Sequence, residues 1–110
     1  MLSLLIIAHL IGDLLLQNDW MQAKSRSHLH CLAHVALYAT PFALLIALGL
    51  PVWAFAVIVV QHYAQDRWAL HLRWSRLIGH TPPDRWPIGP FVVDQAWHLA
   101  VIGGVSLFLN

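Results

Sequence analysis

MLSLLIIAHLIGDLLLQ, residues 1–17, is the stretch that decides the fold. Its apolar run carries only two ionisable side chains, His9 and Asp13, four residues apart. On an α-helix that spacing puts both on one face, about 6 Å apart along the axis. The spacing recurs in three further apolar stretches, as His30/His34, His62/Asp66 and Asp94/His98. A carboxylate near the centre of a bilayer costs roughly 2.5–3.5 kcal/mol on insertion scales, so Asp13, Asp66 and Asp94 together cost up to about 8–10 kcal/mol. That rivals the ~5–15 kcal/mol stability of a whole domain. A bound metal ion is the simplest compensation.

Composition sets the environment. Of the 110 residues, 59% are hydrophobic and 10% charged, with mean hydropathy +0.65. A soluble domain carries about 25% charged residues. The expectation is an all-α, integral membrane four-helix bundle forming a single domain, 1–110, with spans at about 2–17, 28–48, 52–70 and 91–109. The N-terminus lacks a basic n-region and a small-residue cleavage site, so residues 1–16 do not read as a removable signal. Pro41 predicts a kink in the second span, and Pro51 suits the start of the third. The third helix is expected to run on through HLRWSRLI (71–78), and Gly79 to Pro90 reads as a loop.

Charge orients the bundle. Lys24 and Arg26 lie between spans one and two; Arg67, Arg73, Arg76 and Arg85 lie between spans three and four. The other face has no basic side chain, so both charged connections are expected in the cytoplasm and both termini on the non-cytoplasmic side. Trp20, Trp68, Trp74 and Trp86 form an aromatic belt on the basic side, with Trp53 at the opposite interface.

With this topology depth can be counted. His9, His34, His62 and His98 fall about two turns below the cytoplasmic boundary, roughly 12 Å down from the polar connections. Asp13, His30, Asp66 and Asp94 fall about one turn below it, in a layer roughly 6 Å shallower. The reversed order of Asp94 and His98 on the last span is what a shared depth requires. Mixed His/Asp ligation suits one or two divalent ions, Zn first, with Mn or Fe as alternatives. The expected metal ligands are His9, Asp13, His34, His62, Asp66, Asp94 and His98, with His30 as a further candidate close enough to the interface to be solvated. Gln17, Gln65 and Gln95, with Gln61, flank the pairs and are placed to orient ligands. The competing reading is a hydrogen-bonded polar core or proton path. His28, His71 and His80 read as aqueous surface, Tyr38 as packing, and Cys31 as an ordinary core residue.

The runs His9 to Met21 (H-x-x-G-D-x-x-L-Q-x-D-W-M), His62 to Arg67 (H-x-x-x-D-R) and Asp94 to His98 (D-Q-x-x-H) resemble a family of small bacterial and phage membrane proteins known as domain of unknown function 3307. The resemblance spans nearly the whole chain and implies a multi-pass protein of the bacterial inner membrane. The paired H-x-x-x-D spacing is also similar to that of bacterial membrane-bound metal-dependent hydrolases. That likeness implies a catalytic metal at His9, Asp13, His62, Asp66, Asp94 and His98.

The function expected from these readings is a metal-dependent hydrolase acting on membrane lipid or another amphipathic substrate at the cytoplasmic leaflet. Water acidified by the metal would attack, Asp66 or Asp94 would serve as general base, and Arg67 would steer a phosphate. The alternatives are a proton or divalent-cation pathway, haem held by paired histidines, and a non-catalytic interaction protein with a structural metal. The expected partners are lipid and further copies of the chain or another membrane protein, and nucleic acid is not among them.

Overall fold

Helix boundaries follow local chemistry in the computed structural model, which describes residues 1–109. The described residues are helical, with no strand among them. Helix α1, Leu2–Leu10, continues without a break into a π-helical turn, Ile11–Leu15. A 3-10 segment, Trp20–Ser25, leads to α2, His28–Ile46, and then α3, Val52–Arg67. Helices α4, Leu70–Ile78, and α5, Gly89–Ser106, follow. The four expected spans are thus helices, each ending a few residues short of its expected C-terminal bound. Among the described residues, His28–Ile46 is the one helix long and apolar enough to cross a membrane.

Ser27 starts α2: its backbone is extended and its hydroxyl accepts from the Leu29 N–H at 3.2 Å, satisfying a donor of the free first turn. Pro51, also extended, precedes α3. Gly49 makes the turn between them at φ 104°, a left-handed conformation that a side chain disfavours. One boundary departs from expectation. The third helix does not run on past Arg67, because Ala69 adopts φ 47°, ψ 51° and breaks it. A left-handed alanine costs about 1–2 kcal/mol. The Arg73 Nε donates to the exposed Trp68 carbonyl at 3.1 Å, and Trp74 packs edge-to-face on Trp97 of α5 with centroids 5.3 Å apart. These contacts hold α4 folded back against α5.

The bundle divides lengthwise. One end is an apolar core of Leu5, Phe42, Leu45, Leu50, Ala54, Ile58, Ile102 and Val105. The other end holds the ionisable pairs. Between them α1 and α2 touch at Gly12, where a Cβ would sit 2.9 Å from both the ring and the carbonyl oxygen of Tyr38. The π turn, closed by a Leu16 N–H to Ile11 carbonyl bond of 3.0 Å, carries both Gly12 and Asp13.

Gly12→Ala is therefore expected to cost about 1–3 kcal/mol through overpacking against a backbone that cannot yield. Gly103→Ala in α5, where a Cβ meets nothing within 4 Å, is the control and is expected to be neutral or to gain up to about 1 kcal/mol. Thermal unfolding of both variants in detergent checks this. Equal melting points would contradict the close approach.

Candidate metal centre

Helices α1, α2, α3 and α5 each deliver one imidazole to a single buried layer. His9, His34, His62 and His98 are all fully buried. Ring centroids are 5.2 Å apart for His34–His62, 4.1 Å for His62–His98 and 5.6 Å for His9–His98. Tyr38 stacks on His62 at 3.6 Å and fixes its plane. Against this layer lie Asp13 from the π turn, Asp66 from α3 and Asp94 from α5.

Four of these groups converge. The His34 Nε2 is 3.1 Å from Asp13 Oδ1 and 3.0 Å from Asp66 Oδ2. The His62 Nε2 is 2.9 Å from Asp66 Oδ2 and 3.5 Å from Asp13 Oδ1. The two Nε2 atoms are 3.1 Å apart. Donors about 2.0–2.1 Å from a tetrahedral ion stand roughly 3.3 Å from one another, and these separations bracket that value. Asp13 Oδ1 and Asp66 Oδ2 are buried yet lack an aligned hydrogen-bond donor. Buried carboxylate oxygens without an aligned donor are costly, and the donor set fits a divalent ion.

His9 is used differently. Its Nε2 lies 2.8 Å from Gln95 Oε1 and its Nδ1 3.0 Å from the Tyr38 hydroxyl. The Gln95 amide nitrogen must donate to the Asp13 carboxylate, 2.7 Å away, since a carboxylate only accepts. Gln95 Oε1 therefore accepts from His9 Nε2–H, and His9 Nδ1 accepts from Tyr38. Both ring nitrogens are engaged, and this chain of bonds orients Asp13.

Lys24, from the 3-10 segment, reaches into the cluster. Its Nζ is 3.2 Å from Asp66 Oδ2 and 4.0 Å from Asp13 Oδ1, and it donates to Gln17 Oε1 at 2.9 Å. The His71 Nδ1 of α4 stands 3.4 Å from Asp94 Oδ1. Burial lowers the pKa of His71 below the ordinary imidazole value against the pull of Asp94, so this ring is neutral at pH 7. A cavity of about 490 Å³ opens on the cluster. Its lining includes the polar side chains of Asp13, Asp66, Asp94, Lys24 and His71 and the apolar ones of Leu14, Leu72 and Phe91.

Other residues singled out from sequence lie apart. His30 packs on Trp20, centroids 4.2 Å apart, outside the cluster. Gln65 is buried with its Oε1 unpartnered, and Gln61 donates to the Ile58 carbonyl. The Arg67 Nη1 donates to the Ser25 carbonyl at 3.0 Å, and the cation on the cavity wall is Lys24. His71, expected at the aqueous surface, lines the cavity. Tyr38, expected to be packing alone, also bonds to His9. The i,i+4 spacing had marked neither Lys24 nor His71. Lys24 comes from an irregular connector, and His71 arrives only because the helix breaks at Ala69.

The chain belongs to the family described as Protein of unknown function (DUF3307), which matches residues 1–109. No curated protein and no solved structure matches it.

Lys24→Met leaves Asp66 without its ammonium partner. Breaking a buried pair costs about 3–5 kcal/mol, and the partial exposure of Lys24, 16%, places the expected loss at the low end. Unfolding in detergent with a chelator present measures it, and a change under ~0.5 kcal/mol, as at an ordinary surface site, would show that Lys24 does not neutralise the cluster.

Proposed function

We propose that this chain is a membrane-embedded, metal-dependent hydrolase acting on a lipid or another amphipathic substrate at the cytoplasmic leaflet. The observation that carries the reading is the convergence of His34, His62, Asp13 and Asp66 beside a cavity lined by both polar and apolar side chains. Charge supports it as well. Asp13, Asp66 and Asp94 bring three carboxylates to the cluster against the one ammonium of Lys24, a surplus of carboxylates that suits a cation.

A divalent ion in that site, zinc first, with manganese or iron suiting the same donors, supplies Lewis-acid polarisation of the scissile group and acidifies water toward neutral pH. The protein's own groups do the rest. Leu14, Leu72 and Phe91 of the cavity lining take the hydrocarbon part of the substrate. The Lys24 ammonium holds an anionic head group next to the cluster. The His71 ring, neutral and backed by Asp94, accepts the proton of the attacking water. Asp66, already faced by three imidazoles and Lys24, is a ligand in this scheme rather than a base.

Several features support a multi-pass bacterial inner-membrane protein with both termini on the non-cytoplasmic side. Ile7, Leu44, Val57 and Val60 are large apolar side chains exposed around the bundle, as a lipid-facing surface requires. Helix α4 carries Leu70, Trp74, Leu77 and Ile78 on one face with Arg73 and Arg76 on another, a pattern suited to lying in the headgroup region. The dry core beyond the histidine layer offers no polar continuation, which supports a dead-end site over an ion pathway.

Metal analysis of detergent-purified protein, combined with hydrolysis of esters and phosphoesters in mixed micelles, tests the proposal. His34→Ala and His62→Ala are expected to lose the ion and all activity. His71→Ala is expected to keep the ion and lose roughly 10²–10⁴-fold in kcat. Metal retained in both ligand variants would overturn the metal site. A bound ion with no hydrolysis of any substrate class would leave a structural metal in its place.

A further inference from the structure

The two oxygens of Asp66 face different partners. Oδ2 looks to His34 and His62, at 3.0 and 2.9 Å. Oδ1 looks to the Nε2 of His98, at 3.3 Å, and that same nitrogen is 3.3 Å from Asp94 Oδ1. Asp94 Oδ1, like Asp66 Oδ2, has no aligned donor. Asp13, Asp94 and His98 together also present ligand atoms within 4.8 Å of one another.

We propose that Asp66 is a bridging carboxylate and that His98 and Asp94, with Asp13 alongside, hold a second divalent cation next to the first. The inference rests on the metal site argued above and goes beyond it. The two positions differ in kind. The first has four candidate ligands, of which the two imidazoles lie outside the cavity lining and the carboxylates of Asp13 and Asp66 within it. The second has fewer ligands and includes Asp94, which is 13% exposed and lines the cavity. Ions sharing a carboxylate stand about 3.5–4 Å apart in two-metal hydrolytic centres, where together they clamp the attacking and leaving oxygens. Gln95 holds the pair of sites in register, since its amide nitrogen is 2.7 Å from Asp13 Oδ2 and 3.4 Å from Asp94 Oδ2.

The test is a manganese titration of the full chain in detergent, read by metal analysis after desalting and by electron paramagnetic resonance. Wild type is expected to bind two equivalents, the second more weakly. Asp94→Asn is expected to keep one equivalent, and Asp66→Asn to weaken both. If Asp94→Asn binds as many ions as wild type, or wild type stops at one, the second site is refuted while the first stands. If wild type binds none, both assignments fall together. Spectra of wild type alone serve if the variants do not fold. The second equivalent is expected to convert the isolated-ion pattern into a coupled one, and a sum of isolated patterns would overturn the bridge.

Discussion

Three carboxylates held in the interior of a small apolar bundle are the constraint on which the rest of this structure depends. Left alone each would cost more than any single packing contact returns. Three departures from regular helix help to answer that cost. The π turn swings Asp13 into line with His34 and His62. The 3-10 segment returns Lys24 to Asp66. The left-handed Ala69 turns α4 back so that His71 meets Asp94. Strain at one residue and a missing regular hydrogen bond at another are small beside an unpaired buried charge.

The same constraint explains why the molecule is divided end to end. Side chains from Leu5 to Val105 form an apolar core that needs no polar partner, and it leaves the opposite end free to accumulate charge. Gly12 sits where the two regions join. Its missing side chain lets α1 close on Tyr38, and Tyr38 then serves both regions. Its ring stacks on His62 and packs on Phe42, while its hydroxyl bonds to His9 Nδ1. A substitution at the seam would disturb ligand orientation and core packing together, so stability and site geometry are coupled through this one tyrosine.

How much of this was legible in the sequence depended on backbone regularity. Within continuous helices the i,i+4 rule and a count of turns brought His9, His34, His62 and His98 to one depth, and Asp13, Asp66 and Asp94 to another. Where the backbone was irregular the rule had nothing to act on. Alanine is the best helix former, so no local signal marked Ala69 as a break, and His71 read as an outward surface residue. Lys24 read as one of several cytoplasmic charges, because nothing in a six-residue 3-10 segment states which way its side chains point. His30 was over-read for the opposite reason. It shares a helix face with His34, but Trp20 from the preceding segment covers it, and a depth count cannot see what another element lays on top.

The four histidines decide between a metal centre and a merely hydrogen-bonded core. They share one layer and one degree of burial, yet His9 alone satisfies both ring nitrogens with aligned partners. A polar core stabilised by hydrogen bonds would treat all four rings that way, since each unaligned buried nitrogen or oxygen forfeits about 1–3 kcal/mol. Instead the Nε2 atoms of His34 and His62 face each other and two carboxylate oxygens at once. A ring nitrogen carries at most one proton, so it cannot serve three acceptors together, whereas a cation at their common centre would engage both Nε2 atoms and both carboxylate oxygens at once. The contrast between His9 and its neighbours separates the group that orients the site from the groups that could hold an ion.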